Sequence, residues 1–225
     1  MSKMGKNAFN LLLLNQTDYG LALRLQEQLY EAQLAKLKSE EPTENTLIFL
    51  QHDPVYTLGK SGDESNLKVA IEETDATFYQ TSRGGDITYH GPGQLTVYPI
   101  FNLNHFEMGV REYVETLEQC VIDCIAEYGL KGERLEGASG VWIDAQSTKA
   151  RKICAVGIKV SRGITMHGLA FNVNTDLSYF ENIVPCGLED KGVTSLTYEL
   201  GSACDFKSVS EKLHRQFRKH FNPSL

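Results

Sequence analysis

The stretch KICAVGIKVSRGITMHGLAFNV, Lys152 to Val173, decides the fold. It contains two runs rich in β-branched and apolar residues, 152–160 and 164–173, separated by only three residues, with a third run, GVWI at 140–143, just ahead. Short strands this close together imply a largely antiparallel sheet. Alternation along the first strand puts Lys152 on one side with Cys154, Val156, Ile158 and Val160, leaving Ala155 and Gly157 on the other. Along the second, His167, Leu169, Phe171 and Val173 face one way, and Gly168, Ala170 and Asn172 the other. The small residues admit two readings: a narrow apolar slot for an extended chain between the strands, or close packing of the sheet.

Working outward, residues 9–15 and 46–50 read as strands flanking a helix from Asp18 to Lys38, in which Ala22, Leu25, Leu29 and Ala32 recur at helical spacing. A polar stretch, 60–80, and a glycine-rich loop precede the strand LTVYPIF at 95–101. Val110, Tyr113, Val114, Leu117, Val121, Cys124, Ile125 and Tyr128 mark an amphipathic helix over 110–128. Val209, Leu213, Phe217 and Phe221 mark a terminal one. The expectation is a single α+β domain over 1–225, a mixed and largely antiparallel sheet flanked by helices.

Composition narrows the partners. Lys plus Arg number 22 against 29 Asp plus Glu, a net charge of -7 that argues against a general nucleic-acid binder. The only apolar run near the start, Leu11 to Leu14, is too short to span a bilayer, so no membrane association and a cytoplasmic location are expected. Five scattered cysteines, an odd number, are poor material for a disulfide framework. Between Asp144 and Asp176 there is no acidic residue, while Lys149, Arg151, Lys152, Lys159 and Arg162 all occur there. That local charge would steer an acidic protein towards these strands, or serve as a solvated basic edge.

Two features carry chemistry. The run Arg83-Gly84-Gly85-Asp86-Ile87-Thr88-Tyr89-His90-Gly91-Pro92-Gly93-Gln94 surrounds polar side chains with four glycines, which let a backbone approach a ligand closely. It also reads as a tight turn before a strand, with His90 satisfied internally, and it is neither a GxGxxG nor a Walker loop. Cys186, in Asn182-Ile183-Val184-Pro185-Cys186-Gly187, has turn residues on both sides and is the cysteine best placed to react. Cys120, Cys124 and Cys154 sit on apolar helix or strand faces and read as small hydrophobes. Cys120 and Cys124 at i and i+4 lack the further ligands of a tetrahedral metal site. A thiol of ordinary pKa, about 8.5, needs a basic partner to react at neutral pH. Lys152 on an apolar face would serve, since burial there would lower its pKa; a solvated lysine at a strand end is the plainer alternative.

With RGGDITYHGPGQ, ARKICAVGIKV, TMHGLAFNV and NIVPCGLEDKGVTSL in order, and QHDPVYTLGK at 51–60, the sequence closely resembles the octanoyltransferases of lipoate biosynthesis from about Ala8 to His220. The resemblance implies the catalytic fold shared with biotin protein ligases and lipoate ligases. It implies Cys186 as acyl nucleophile and Lys152 as the group that lowers its pKa and shuttles protons. It also implies Arg83 to His90, Ala155 to Gly157 (with Val156), and Gly168 to Ala170 (with Leu169) as substrate-binding stretches. The implied donor is octanoyl-phosphopantetheine on acyl carrier protein. The implied acceptors are lipoyl domains of 2-oxoacid dehydrogenase complexes and the glycine cleavage H protein. No ATP, metal or other cofactor is expected, and the chain is expected to act as a monomer. Rival readings are an ATP-dependent lipoate ligase, a non-catalytic lipoyl-domain binding module, and an amidotransferase acting between lipoyl proteins.

Overall fold

A computed structural model describes residues 8–184 and 191–221. In chain order the elements are β1 (Phe9–Thr17), α1 (Tyr19–Lys38), β2 (Asn45–His52), β3 (Val55–Leu58), β4 (Thr77–Gln80), β5 (Ile87–His90) and β6 (Gln94–Ile100). Then follow α2 (Val110–Ala126), β7 (Glu133–Leu135), β8 (Ala138–Ile143), β9 (Arg151–Ser161), β10 (Ile164–Asn172), β11 (Gly192–Val193), α3 (Leu196–Leu200) and α4 (Phe206–Phe221).

The large sheet runs β1-β2-β6-β10-β9-β8-β7, with β11 added beside β9. Its pairings are antiparallel except β1 with β2 and β11 with β9. Parallel neighbours need a crossover, and α1 supplies it between β1 and β2. That helix begins where the sequence places it: the Asp18 carboxylate accepts from Leu21 N at 2.9 Å, capping an otherwise unsatisfied donor.

The sheet buries both faces. On one, Leu47, Phe49, Val97, Leu169 and Phe171 pack against Tyr113, Leu117 and Val121 of α2 and Leu213 and Phe217 of α4. On the other, Ile48, Leu50, Tyr98 and Met166 pack under Ala22 and Tyr30 of α1. A central strand buried on both sides reads as continuously apolar rather than alternating, and every residue of β6 is buried.

A second sheet, β4-β3-β5, departs from the sequence expectation. Ile87–His90, read as part of a glycine-rich loop, is a strand antiparallel to β3, and the polar stretch ends in β4. Its core is Tyr56, Leu58, Ile87, Tyr89 and Ile183. Four-residue strands hold too few periods to announce themselves against a glycine-rich background. Among the described residues, no helix is long and apolar enough to cross a membrane, and no cluster of His, Cys, Asp or Glu is arranged to hold a metal ion.

Candidate active site

A cavity of about 490 Å³ is lined by the glycine-rich segment on one side and by β9 and β10 on the other. Pockets of this size take up small organic ligands. Its floor is two directly paired sets of small residues, Ala155 with Ala170 and Gly157 with Gly168. The two glycines serve close backbone approach. A Cβ on Gly157 would lie 3.1 Å from both Arg83 Cδ and Gly84 O, and one on Gly168 would collide with Val97 O of β6. Gly84 N donates to Ile158 O at 2.8 Å, so the loop is pinned directly onto β9.

Lys152 enters this cavity, and the route differs from simple alternation. On β8, Val141 pairs with Cys154 while the next residue, Trp142, pairs with Lys152, leaving Ile153 as an extra residue in β9. Such a bulge inserts one residue and reverses the sense of alternation beyond it. Cys154 and Ile153 therefore both lie in the α2/α4 core, and Lys152 lines the cavity with Ala155 and Gly157. The expected common face for Lys152 and Cys154 is thus corrected. Lys152 is only 9% exposed, and its Nζ sits 4.8 Å from the centre of the Trp142 ring, where the ring's negative face attracts an ammonium.

The opposite wall is a chain of buried hydrogen bonds. Arg83 Nη2 donates to Thr57 O at 2.5 Å and to Thr57 Oγ1 at 2.9 Å, and Thr57 Oγ1 lies 3.3 Å from His90 Nε2. His90 Nδ1 lies 2.8 Å from Gln94 Oε1. Gln94 Nε2 donates to Tyr89 O at 3.0 Å and to Asn172 Oδ1 at 2.9 Å, and Asn172 Nδ2 donates to Thr194 O at 3.0 Å. With the Gln94 amide hydrogens committed, its oxygen accepts from His90 Nδ1–H, and Nε2 accepts from the Thr57 hydroxyl. This is the neutral ring, and burial, then the neighbouring His52 and Arg83, hold the His90 pKa well below the usual value. Burial takes His52 down to about 4 and His167 down to about 3.

The chain of bonds ends beside Lys152. Val193 of β11 pairs with Lys152, and Thr194 N donates to Lys152 O at 3.0 Å. The Thr194 hydroxyl donates to Glu199 at 2.5 Å, and Glu199 also takes both arms of Arg151 at 2.6 Å. Lys191, Gly192 and Val193 line the cavity. Cys186 lies outside the described residues; the described chain on either side is Val184, whose N donates to Asn66 O at 2.8 Å, and Lys191.

Of the other sequence candidates, Arg83, Gly84, Gly85, Asp86, Ile87, Thr88 and His90 line the cavity. Tyr89 does not: its ring is buried in the small sheet's core, stacked on Tyr179 at 4.4 Å. Asp86 accepts from Ile87 N and from Asn66 Nδ2, both at 2.7 Å, which shapes the loop. Val156 and Leu169 contribute wall, while their side chains pack on the α2/α4 core. His167 corrects a second alternation: its φ is 61°, which swings its ring out of line with Leu169 and Phe171 and into the cavity beside Ala170.

The basic run is not a patch. Arg151 is paired with Asp144 and Glu199, Lys152 is in the cavity, and Lys159 Nζ lies 4.7 Å over the Tyr30 ring. Lys149 and Arg162 stand beyond opposite ends of an eleven-residue strand, about 36 Å long at ~3.3 Å per residue. Trp142, Tyr98, Gln94, Asn172 and Lys191 line the cavity too and were not singled out in sequence. Gln94 and Asn172 lay inside the quoted motifs, but their partnership crosses strands and has no linear signal.

The model of the lipoyl protein ligase A/B catalytic domain matches residues 18–218. An octanoyltransferase of Porphyromonas gingivalis is 53% identical over 208 residues, 90% of this chain but only 42% of that relative's own length. One from Parabacteroides distasonis is 48% identical over 212 residues, covering 92% of this chain and 96% of the relative. Among solved structures, a bipartite lipoate protein ligase from Thermoplasma acidophilum superposes with a TM-score of 0.67 at 18% identity, covering 94% of this chain and 83% of that one. At that identity the likeness concerns the fold.

Proposed function

Because this chain belongs to the lipoyl protein ligase A/B catalytic-domain family, with octanoyltransferases among its relatives, we propose that it moves an octanoyl group from a carrier thioester to a protein lysine. In this reading the Cys186 thiolate attacks the thioester carbonyl of octanoyl-acyl carrier protein, and the phosphopantetheine thiolate leaves. One thioester replaces another, so no ATP is required. The ε-amine of a lysine on an apo lipoyl domain then attacks the S-octanoyl group, loses a proton, and expels the Cys186 thiolate as the amide forms. Lys152 accepts and returns the protons of both steps. No metal takes part, and one chain suffices.

The observation that carries this reading is Lys152 buried in the wall of a cavity floored by Ala155, Gly157, Gly168 and Ala170. The lysine stands at one end of this floor, and small residues set in pairs suit an unbranched apolar chain. The other cysteines support the assignment of the nucleophile. Cys120, Cys124 and Cys154 are fully buried, Cys204 is half-buried and does not line the cavity, and burial pushes all four thiols up, Cys124 to about 12.

The test is intact mass after mixing the protein with octanoyl carrier protein, without ATP or acceptor. A single octanoyl adduct, removed by hydroxylamine and absent from Cys186→Ala, supports the transferase. No adduct, with acceptor octanoylation only when ATP and free octanoate are supplied, replaces it with the ligase.

A further inference from the structure

The cavity has an open and a closed end. Ser139 and Gly192 are exposed at its mouth beside Lys152, while Gly84, also exposed, runs along its side where it bonds Ile158 O. Tyr19, Tyr98 and His167, only 2%, 4% and 2% exposed, close it. Strand register fixes the order along the floor. Ala155 and Ala170 come first beyond Lys152, then Gly157 and Gly168, then His167 opposite Ile158.

His167 reaches the cavity through an unfavourable backbone. A φ of 61° lies in the left-handed region that few residues other than glycine adopt, although histidine is among those found there more often. Three contacts hold it there: its backbone N–H donates to Gln26 Oε1 of α1 at 3.1 Å, its ring Nε2 lies 3.5 Å from Ser82 Oγ, and its ring stands edge-on to Tyr98 at 6.5 Å. Without that φ, alternation would carry the ring into the α2/α4 core with Leu169 and leave the slot open at this end.

We infer that His167 is the specificity-determining residue for acyl length, its ring being the stop against which the methyl end of the chain rests. The inference rests on the reading that the cavity holds an acyl chain. From Ala170 to His167 the strand advances about 10 Å, at ~3.3 Å per residue. The seven C–C bonds of an extended octanoyl chain advance about 9 Å, at ~1.25 Å per bond from a ~1.5 Å bond and a ~111° angle. A chain with its carbonyl level with Ala155 and Ala170 ends against the imidazole, and a dodecanoyl chain runs into it. Burial keeps that ring neutral, with its pKa down to about 3, as an apolar neighbour requires.

The experiment compares kcat/KM for carrier-protein thioesters of eight, twelve and fourteen carbons in the wild type, His167→Gly and His167→Asn. Glycine and asparagine both tolerate a positive φ, so neither variant forces the backbone to move. The dodecanoyl-to-octanoyl ratio is expected to rise at least tenfold in His167→Gly and less in His167→Asn. An unchanged ratio overturns the inference. Should neither variant turn over, thermal shift with free octanoate and dodecanoate decides. Dodecanoate stabilising His167→Gly but not the wild type supports the stop, and identical profiles overturn it. Failure of the transferase reading looks different: the wild type then acquires no acyl adduct from a donor of any length.

Discussion

Lys152 and Cys154 leave the same strand towards opposite faces of the sheet, because Ile153 stands between their partners Trp142 and Val141 as an unpaired extra residue. Two side chains only two residues apart on β9 therefore have unrelated surroundings, and substitutions at them separate cleanly. Lys152→Gln is expected to reduce octanoyl loading at least a hundredfold. Cys154→Ala removes only a buried sulfur from the helix-covered core. It is expected to leave loading within about threefold while lowering stability by roughly 1 kcal/mol. Single-turnover mass spectrometry and denaturant unfolding read the two effects.

Gly157 is the position where the glycine-rich loop comes down onto the sheet. In Gly157→Ala the new methyl group meets Arg83 Cδ and Gly84 O at 3.1 Å, so the loop has to lift, straining the Gly84 N–H bond to Ile158 O. Overpacking of this kind costs roughly 1–3 kcal/mol. If the loop bears that cost, kcat/KM falls about ten- to a hundredfold with little change in melting temperature. A fall in melting temperature with unchanged kcat/KM in the folded protein would mean that the sheet yields instead of the loop.

Asn172→Leu keeps the heavy-atom count and branching but removes both the donor to Thr194 O and the acceptor for Gln94 Nε2. Leaving such buried groups unsatisfied costs roughly 1–3 kcal/mol each. β11, only two residues long, then depends on its pairing with Arg151 and Lys152. Hydrogen exchange at Thr194 N is expected to quicken at least tenfold, while the amides of β6 and α2 keep their protection.

The buried histidines give stability a pH dependence of definite sign. His52 and His167 are neutral when folded, with pKa values down to about 4 and about 3, whereas an unfolded histidine titrates near ~6.5. Between those limits the unfolded chain binds more protons than the folded one, so stability falls as pH falls. Their contribution is complete above about pH 6.5. It is lost progressively towards pH 4, and His52 alone accounts for roughly 3 kcal/mol of it. In His52→Gln, which can still donate to Thr17 O and accept from the Tyr98 hydroxyl, the melting temperature is expected to change less between pH 7 and pH 4.5 than in the wild type. Scanning calorimetry of the two proteins across that range provides the comparison.

Legibility in the sequence followed period. α1, α2 and α4 each repeat an apolar stripe over four or more turns, and Asp18 marks where the first begins, so these helices could be placed within a few residues. β9 and β10 were legible as neighbours because only three residues separate the runs. What escaped was whatever breaks period two. An extra residue at Ile153 and a left-handed φ at His167 each turned a side chain to the other face, and neither composition nor spacing announces them. The small sheet escaped for want of length. The polar chain from Arg83 to Thr194 escaped because it joins residues far apart in sequence. Of the site, the residue types in the quoted motifs were legible, but the partnership of His90 with Gln94 and Asn172 was not.

That same polar chain has a kinetic consequence. Its members come from β3, the glycine-rich segment, β6, β10 and the residues after β11, so every link but those of Gln94 to His90 and to Tyr89 closes a sizeable loop of chain before it contributes. Contacts so far apart in sequence form late, after the local helices and the β9–β10 hairpin. A refolding chain will therefore regain its circular dichroism well before it regains the cavity. Ligand binding will follow the slowest step, so that during synthesis the polar wall of the cavity cannot be completed before Thr194 is available.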